Sequence, residues 1–72
     1  MGTARYMVTI RFPGEKYPSV NFFDDVKLAN MFYYDRRESY SAGSLFEGTE
    51  VNLWRLSDDG QQWSLKLSSN NA

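Results

Sequence analysis

The sequence contains no histidine and no cysteine. The commonest general acid–base group, the thiol nucleophile and any disulfide are therefore absent. Carboxylates are adjacent at Asp24-Asp25 and Asp58-Asp59, but aspartate is favoured at helix caps and turns for backbone reasons, so we interpret both pairs as structural and not as metal ligands. No glycine-rich phosphate loop is present either. These absences favour a protein that is not an enzyme and uses no cofactor.

The sequence also lacks long apolar segments and a large net charge. No segment approaches the ~20 apolar residues that span a bilayer. Met1 to Arg5 are not followed by the apolar stretch of a signal peptide, so we expect a cytoplasmic protein without a membrane partner. Eight basic and nine acidic residues give a net charge of −1, which argues against an overall basic field for nucleic acid but allows a local patch.

Aromatic residues are plentiful: the 72 residues include five Phe, five Tyr and two Trp. Such a length predicts one domain, which buries only ~60% of its unfolded surface. Each aromatic side chain can bury ~150–250 Å², so twelve of them exceed what one small core can hide. The surplus indicates a surface that binds a partner, and a homodimer is one form this can take.

The first third of the chain predicts a β-hairpin. Residues 5–12 alternate between apolar and polar side chains with the period of a strand. Pro13-Gly14 predicts a turn, because proline fixes φ at the second turn position and glycine accepts a positive φ at the third. Residues 17–23 predict the second strand, with Val20 and Phe22 directed inward.

Residues 25–40 predict a helix that Asp24 or Asp25 caps and Gly43 ends. With Asp24 as the cap, Phe23 and Leu28 would form a hydrophobic staple. At ~100° per residue one side of the helix carries the apolar side chains, which are Leu28, Ala29, Phe32, Tyr33 and Tyr40. Tyr34 and Arg37 are predicted to be exposed, and such a pair can anchor an interface.

Two further strands, residues 50–56 and 61–67, flank a turn at Ser57-Asp58-Asp59-Gly60. We predict a turn that Gly60 closes in a left-handed bulge. This register pairs Leu53 with Leu65 and Val51 with Leu67. It directs one set of side chains toward the core: Val51, Leu53, Trp63, Leu65 and Leu67. A two-residue Asp59-Gly60 turn is the alternative, and it would shift the register by one residue and reverse the faces.

These elements predict an α+β domain of ββαββ order, with a four-stranded, mostly antiparallel sheet and one helix packed on one face. The strand order is not determined by the sequence. We expect a single domain over residues 1–72, ordered from about 5 to 67, with residues 68–72 as a flexible tail.

The sheet face away from the helix is the main candidate for partner binding. In the predicted register it brings together three apolar side chains, Trp54, Leu56 and Met7, and two basic ones, Arg11 and Lys66. An exposed tryptophan beside methionine and cations is typical of a protein-binding patch. It is also typical of a stacking platform for single-stranded nucleic acid, although the charge balance argues against this. The alternative is that Trp54 belongs to the core.

The chain as a whole resembles small proteins encoded by bacteriophages. The resemblance lies in size and pattern over residues 5–67, with an aromatic-rich helix at Tyr33-Tyr34-Asp35-Arg36-Arg37 and a strand at Glu50-Val51-Asn52-Leu53-Trp54-Arg55-Leu56. It implies a protein that binds a host enzyme or defence complex and blocks it. We therefore expect a small protein-binding domain, with a single-stranded nucleic-acid binder and a homodimeric structural module as alternatives.

Overall fold

The computed structural model describes residues 4–40 and 48–69, which contain one helix and four strands. In chain order the elements are β1 (Tyr6–Arg11), β2 (Ser19–Phe23), α1 (Val26–Ser39), β3 (Glu50–Leu56) and β4 (Trp63–Ser68). The strands form one antiparallel sheet of order β2-β1-β3-β4, and α1 packs against β1, β2 and β3. The predicted α+β, ββαββ fold is confirmed. The predicted helix stop at Gly43 lies outside the described residues.

The first hairpin turns where the sequence predicts. The amide of Glu15 donates to the Phe12 carbonyl at 3.0 Å, and Gly14 has a φ of 83°. The inward orientation predicted for Val20 and Phe22 is wrong, since both are largely exposed. Phe23 pairs with Tyr6 and packs its ring 5.2 Å from that of Phe32 on the helix. Because side chains alternate along a strand, Phe22 and Val20 then point to the opposite face.

Asp25 caps the helix, and its Oδ1 accepts from the Lys27 amide at 2.9 Å. With the cap one residue beyond Asp24, the positions that a staple would join are Asp24 and Ala29. The Phe23–Leu28 staple, which was expected with Asp24 as the cap, therefore does not form. Leu28 is exposed, so its predicted place on the packed side is wrong. The contact between Phe23 and Phe32 takes the place of the staple.

The core lies between the helix and the central strands β1 and β3. Its buried apolar side chains come from these three elements: Val8, Ile10, Ala29, Tyr33, Val51 and Leu53. Phe12 and Tyr40 close one end of the core with their rings in an edge-to-face contact at 5.2 Å. Leu67 adds β4 to the margin of the core.

The register of the second hairpin differs from the preferred prediction. Leu53 pairs with Leu67 and not with Leu65, and a β-bulge between Leu53 and Trp54 shifts the pairing by one residue. Toward the turn, Trp54 pairs with Leu65 and Leu56 with Trp63, which is the register of the alternative considered above.

The turn is wider than predicted, because the Ser57 amide donates to the Gln62 carbonyl at 2.7 Å. The Ser57 hydroxyl accepts from the amides of Gln61 and Gln62, and Asp59 accepts from the amide of Gln61. These hydrogen bonds stabilise a loop one residue longer than the predicted form. Gly60 has a φ of 73°, in the left-handed conformation that the sequence predicts.

The new register moves Trp63 and Leu65 from the predicted core face to the face opposite the helix. Leu67 follows the bulge and returns to the helix side. The ladder also extends beyond the predicted end at residue 67. The Ser69 amide donates to the Val51 carbonyl, and the Ser69 hydroxyl accepts from the Val51 amide, both at 2.9 Å. These two hydrogen bonds therefore hold Ser69 beside β3, although Ser69 has no apolar side chain to bury.

Leu53→Ala and Leu65→Ala distinguish the two registers. Leu53 is fully buried, whereas Leu65 is 52% exposed. We expect Leu53→Ala to lower the free energy of unfolding by about 2–5 kcal/mol and Leu65→Ala by less than about 1 kcal/mol. Urea denaturation measures both. Equal losses would support the register in which the two leucines face each other in the core.

Asp25→Ala tests the helix cap, with Asp24→Ala as the matched control. Removing the capping carboxylate leaves the Lys27 amide without its acceptor, so we expect a loss of about 1 kcal/mol in the free energy of unfolding. The neighbouring substitution should change stability by less than about 0.5 kcal/mol. The opposite order in urea melts would assign the cap to Asp24.

Candidate functional site

A continuous row of large apolar side chains crosses all four strands on the face opposite α1, which we call the outer face. The register places them side by side in the order Phe22, Met7, Trp54 and Leu65. Side chains paired in this way lie ~4.5–5.5 Å apart at Cβ, so the row is contiguous. The two end members are open to solvent, with Phe22 59% and Leu65 52% exposed, while Met7 and Trp54 are half-buried.

Trp54 lies on the outer face in a fixed orientation. Its indole N–H donates to Thr9 Oγ1 at 3.0 Å, and Thr9 is buried. Burying a hydroxyl is favourable only when it is hydrogen-bonded, so this contact serves both partners. Trp54 is therefore not part of the core beneath the helix, and it is not fully exposed. Its partly exposed indole lies at the centre of the row.

Leu56 shares the outer face but is only 7% exposed, so it is unsuited to the contact role predicted for it. Its cross-strand partner Trp63 supplies cover from β4. The Trp63 ring also lies 6.1 Å from the ring of Phe22, in a tilted arrangement. Aromatic contacts therefore build a second apolar cluster on the face that α1 does not cover.

The far end of the outer face is charged. Arg11 and Glu50 pair across β1 and β3 and form an ion pair. Together with Met7, Trp54 and Trp63 they line a shallow groove of about 240 Å³. Because Glu50 balances Arg11, the groove carries little net charge.

Lys66, also predicted for the outer face, lies elsewhere. It lines a separate cavity with Arg55 and Ser64, on the other side of β4. Arg55 and Ser64 are cross-strand partners, and they alternate with Trp54 and Leu65. Lys66 was predicted to lie on the outer face because the predicted pairing of β3 with β4 was wrong. Of the two cations expected beside Trp54, the structure brings only Arg11 to the outer face.

The exposed side of the helix is a second surface. Tyr34 is half exposed, with its ring edge-on to that of Tyr33 at 5.0 Å, and Arg37 is exposed. Burial raises the pKa of the Tyr33 phenol, which therefore stays neutral. Met31, 62% exposed, adds an apolar side chain that the sequence did not single out. These residues lie on the opposite side of the domain from the outer face.

Arg36 is held at the end of the helix. Its guanidinium lies 5.2 Å from the centre of the Phe32 ring and pairs with Asp35 at 3.1 Å. A hydrogen bond to Tyr40 is the main cause of its raised pKa. The half-buried Arg36 therefore stabilises the helix end and is less available to a partner than Arg37.

Within residues 4–40 and 48–69, no three His, Cys, Asp or Glu side chains come together as metal ligands. The helix found there is too short and too polar to cross a membrane. No protein-family model, curated protein or solved structure matches the chain. The geometry of the chain's own residues therefore carries the functional interpretation.

Thr9→Val tests how firmly Trp54 is held. Loss of the acceptor should lower the free energy of unfolding by about 0.5–1.5 kcal/mol. It should also speed hydrogen exchange of the Trp54 indole N–H, measured by NMR. The Trp63 indole N–H, for which the described residues show no acceptor, is the internal control. An unchanged Trp54 exchange rate would contradict the hydrogen bond.

Proposed function

We propose that this chain is a protein-binding domain and that the outer face is its binding surface. The observation that supports this is the row Phe22–Met7–Trp54–Leu65, which is open at both ends and crosses the whole sheet. Aromatic residues and methionine are enriched at the centres of protein interfaces. Contiguous exposed apolar patches mark interaction sites in small monomeric proteins.

The chemistry of the outer face suits a protein partner better than single-stranded nucleic acid. A stacking platform needs free ring faces and unpaired cations along the backbone path. Here the rings of Phe22 and Trp63 pack against each other, and Glu50 pairs with Arg11. Lys66 lies on the other side of β4. Few groups remain on the outer face that would hold phosphates, and the salt-dependent part of nucleic-acid affinity at this face would be small.

The partner that fits this surface presents an apolar patch to the row and polar groups to the Arg11–Glu50 end of the groove. The resemblance to phage-encoded proteins supports a finer proposal, in which the partner is a host enzyme or defence complex that the domain blocks. Such a role needs a complementary surface and no catalytic group, which agrees with a chain that has no histidine or cysteine.

Phe22 and Met31 offer a matched test, since they are 59% and 62% exposed on opposite sides of the domain. Phe22→Ser should weaken binding of the partner by at least about tenfold, as expected for an aromatic anchor, and Met31→Ser should leave it unchanged. Trp54→Ala is less suitable, because its hydrogen bond to Thr9 also stabilises the sheet.

The partner is first identified by a photo-crosslinking residue at position 22, with one at position 31 as the control, in cells that carry the protein. Affinity of the purified partner for each serine variant is then measured by calorimetry. Equal loss in both variants, or crosslinking at position 31 alone, would overturn the proposal. Oligonucleotide quenching of tryptophan emission at low salt would favour nucleic acid, and crosslinks between copies of the chain would favour a homodimer.

A further inference from the structure

A second concave site lies at the turn end of the β3–β4 hairpin, apart from the outer face. It is an open, shallow cavity of about 490 Å³, and its lining residues are Arg55, Ser57, Asp58, Ser64 and Lys66, all exposed except Ser57. Arg55 and Ser64 are cross-strand partners, and Lys66 lies at the β-bulge two residues along β4. Because side chains alternate along a strand, Lys66 lies on the same side of β4 as Ser64 and lines the same cavity as Arg55.

Two arginines converge on one oxygen at this cavity. Arg5 Nη2 lies 3.4 Å and Arg55 Nη2 3.3 Å from Asp58 Oδ1. Strong charge-assisted hydrogen bonds are shorter, at ~2.7–2.9 Å, so Asp58 holds both guanidinium groups loosely. The Asp58 side chain is 88% exposed. Each guanidinium has five N–H donors, so most donors of both arginines remain free for another acceptor.

The cluster has an excess of positive charge in a chain whose net charge is −1. Among the described residues, no carboxylate lies within ion-pair distance of Lys66, and Asp58 alone is shared by the two arginines. The neighbouring Asp59 carboxylate is engaged in the turn. A hydrogen bond from the Ser57 hydroxyl, followed by one from the Gln61 amide, lowers its pKa and keeps it directed at the backbone.

We propose that Arg5, Arg55 and Lys66 form a binding site for a phosphate group. A phosphate dianion offers three oxygens in a tetrahedral arrangement, which matches donors that approach from the segment before β1, from β3 and from β4, and arginine binds such oxygens with two parallel N–H groups. The Ser64 hydroxyl adds a neutral donor. Asp58 occupies the position of the ligand as an internal carboxylate, and its exposure allows it to swing away. This site is independent of the protein-binding role of the outer face.

The test is an NMR titration of the ¹⁵N-labelled chain with inorganic phosphate, against sodium chloride of equal ionic strength. We expect saturable shifts at the amides of Arg55, Ser64 and Lys66. Arg55→Gln should weaken binding about tenfold, since it removes charge-assisted hydrogen bonds. Asp58→Asn should tighten binding several-fold, because it removes the competing charge and keeps a residue suited to the turn. Arg11→Gln, on the outer face, should have no effect.

Tighter binding by the Asp58→Asn variant is the decisive result, since unspecific loss of structure cannot produce it. Shifts that do not saturate, or that are spread equally around Arg11 and Lys16, would overturn the proposal. Equal affinity for acetate would also overturn it, because a single carboxylate cannot use donors that approach from three segments of the chain. Spectra of each variant without ligand verify that the fold is intact.

Discussion

The register of β4 against β3, which a wide turn and a β-bulge opposite Leu53 and Trp54 determine, is the constraint on which both surfaces of this domain depend. A shift of one residue in strand register reverses which side chains face the core. Here the shift occurs within the strand, so Leu67 packs toward the helix while Leu65 and Trp63 point the other way. The wide turn that the hydrogen bonds of Ser57 maintain determines the register on the turn side of the bulge. Without the wide turn, the row on the outer face would lose Leu65, its member on β4. Without the bulge, Leu67 would point away from the helix.

One helix of 14 residues covers one face of a four-stranded sheet, so the other face must exclude water with its own side chains. Aromatic residues do this: Trp63 covers Leu56, and the Trp54 indole satisfies the buried Thr9 hydroxyl. In a domain this small, the margin of stability is narrow and such contacts contribute a large part of it. The centre of the outer face therefore contributes mainly to folding, and its exposed ends, Phe22 and Leu65, are available for binding.

The sequence predicts much of the fold because its local signals are strong. The alternation of side chains along residues 5–12 identifies β1, and the adjacent Pro13 and Gly14 identify the first turn. An aspartate before a segment with helical periodicity identifies α1. The register of β4 against β3 is harder to predict, because a turn of Ser, Asp and Gly residues is compatible with several loop lengths. The loop length depends on side-chain hydrogen bonds, such as the one that Asp59 accepts from the Gln61 amide. The structure places Trp54 on the outer face, which is one of the two positions that the sequence left open. The sequence assigned Trp63, Leu65 and Lys66 to the wrong faces, because their orientation depends on the turn and the register that it determines.

In the two proposed sites, strand β4 serves two ligand chemistries, although it is one short edge strand. Trp63 and Leu65 project to the outer face, where apolar contact dominates, and Ser64 and Lys66 belong to the cavity beside Arg55. Apolar recognition is nearly insensitive to ionic strength, whereas binding of an oxyanion by exposed cations weakens as salt screens the charges. The two surfaces lie on opposite sides of the strand. Differences in salt dependence can therefore separate their contributions in the intact domain, without any change to the sequence.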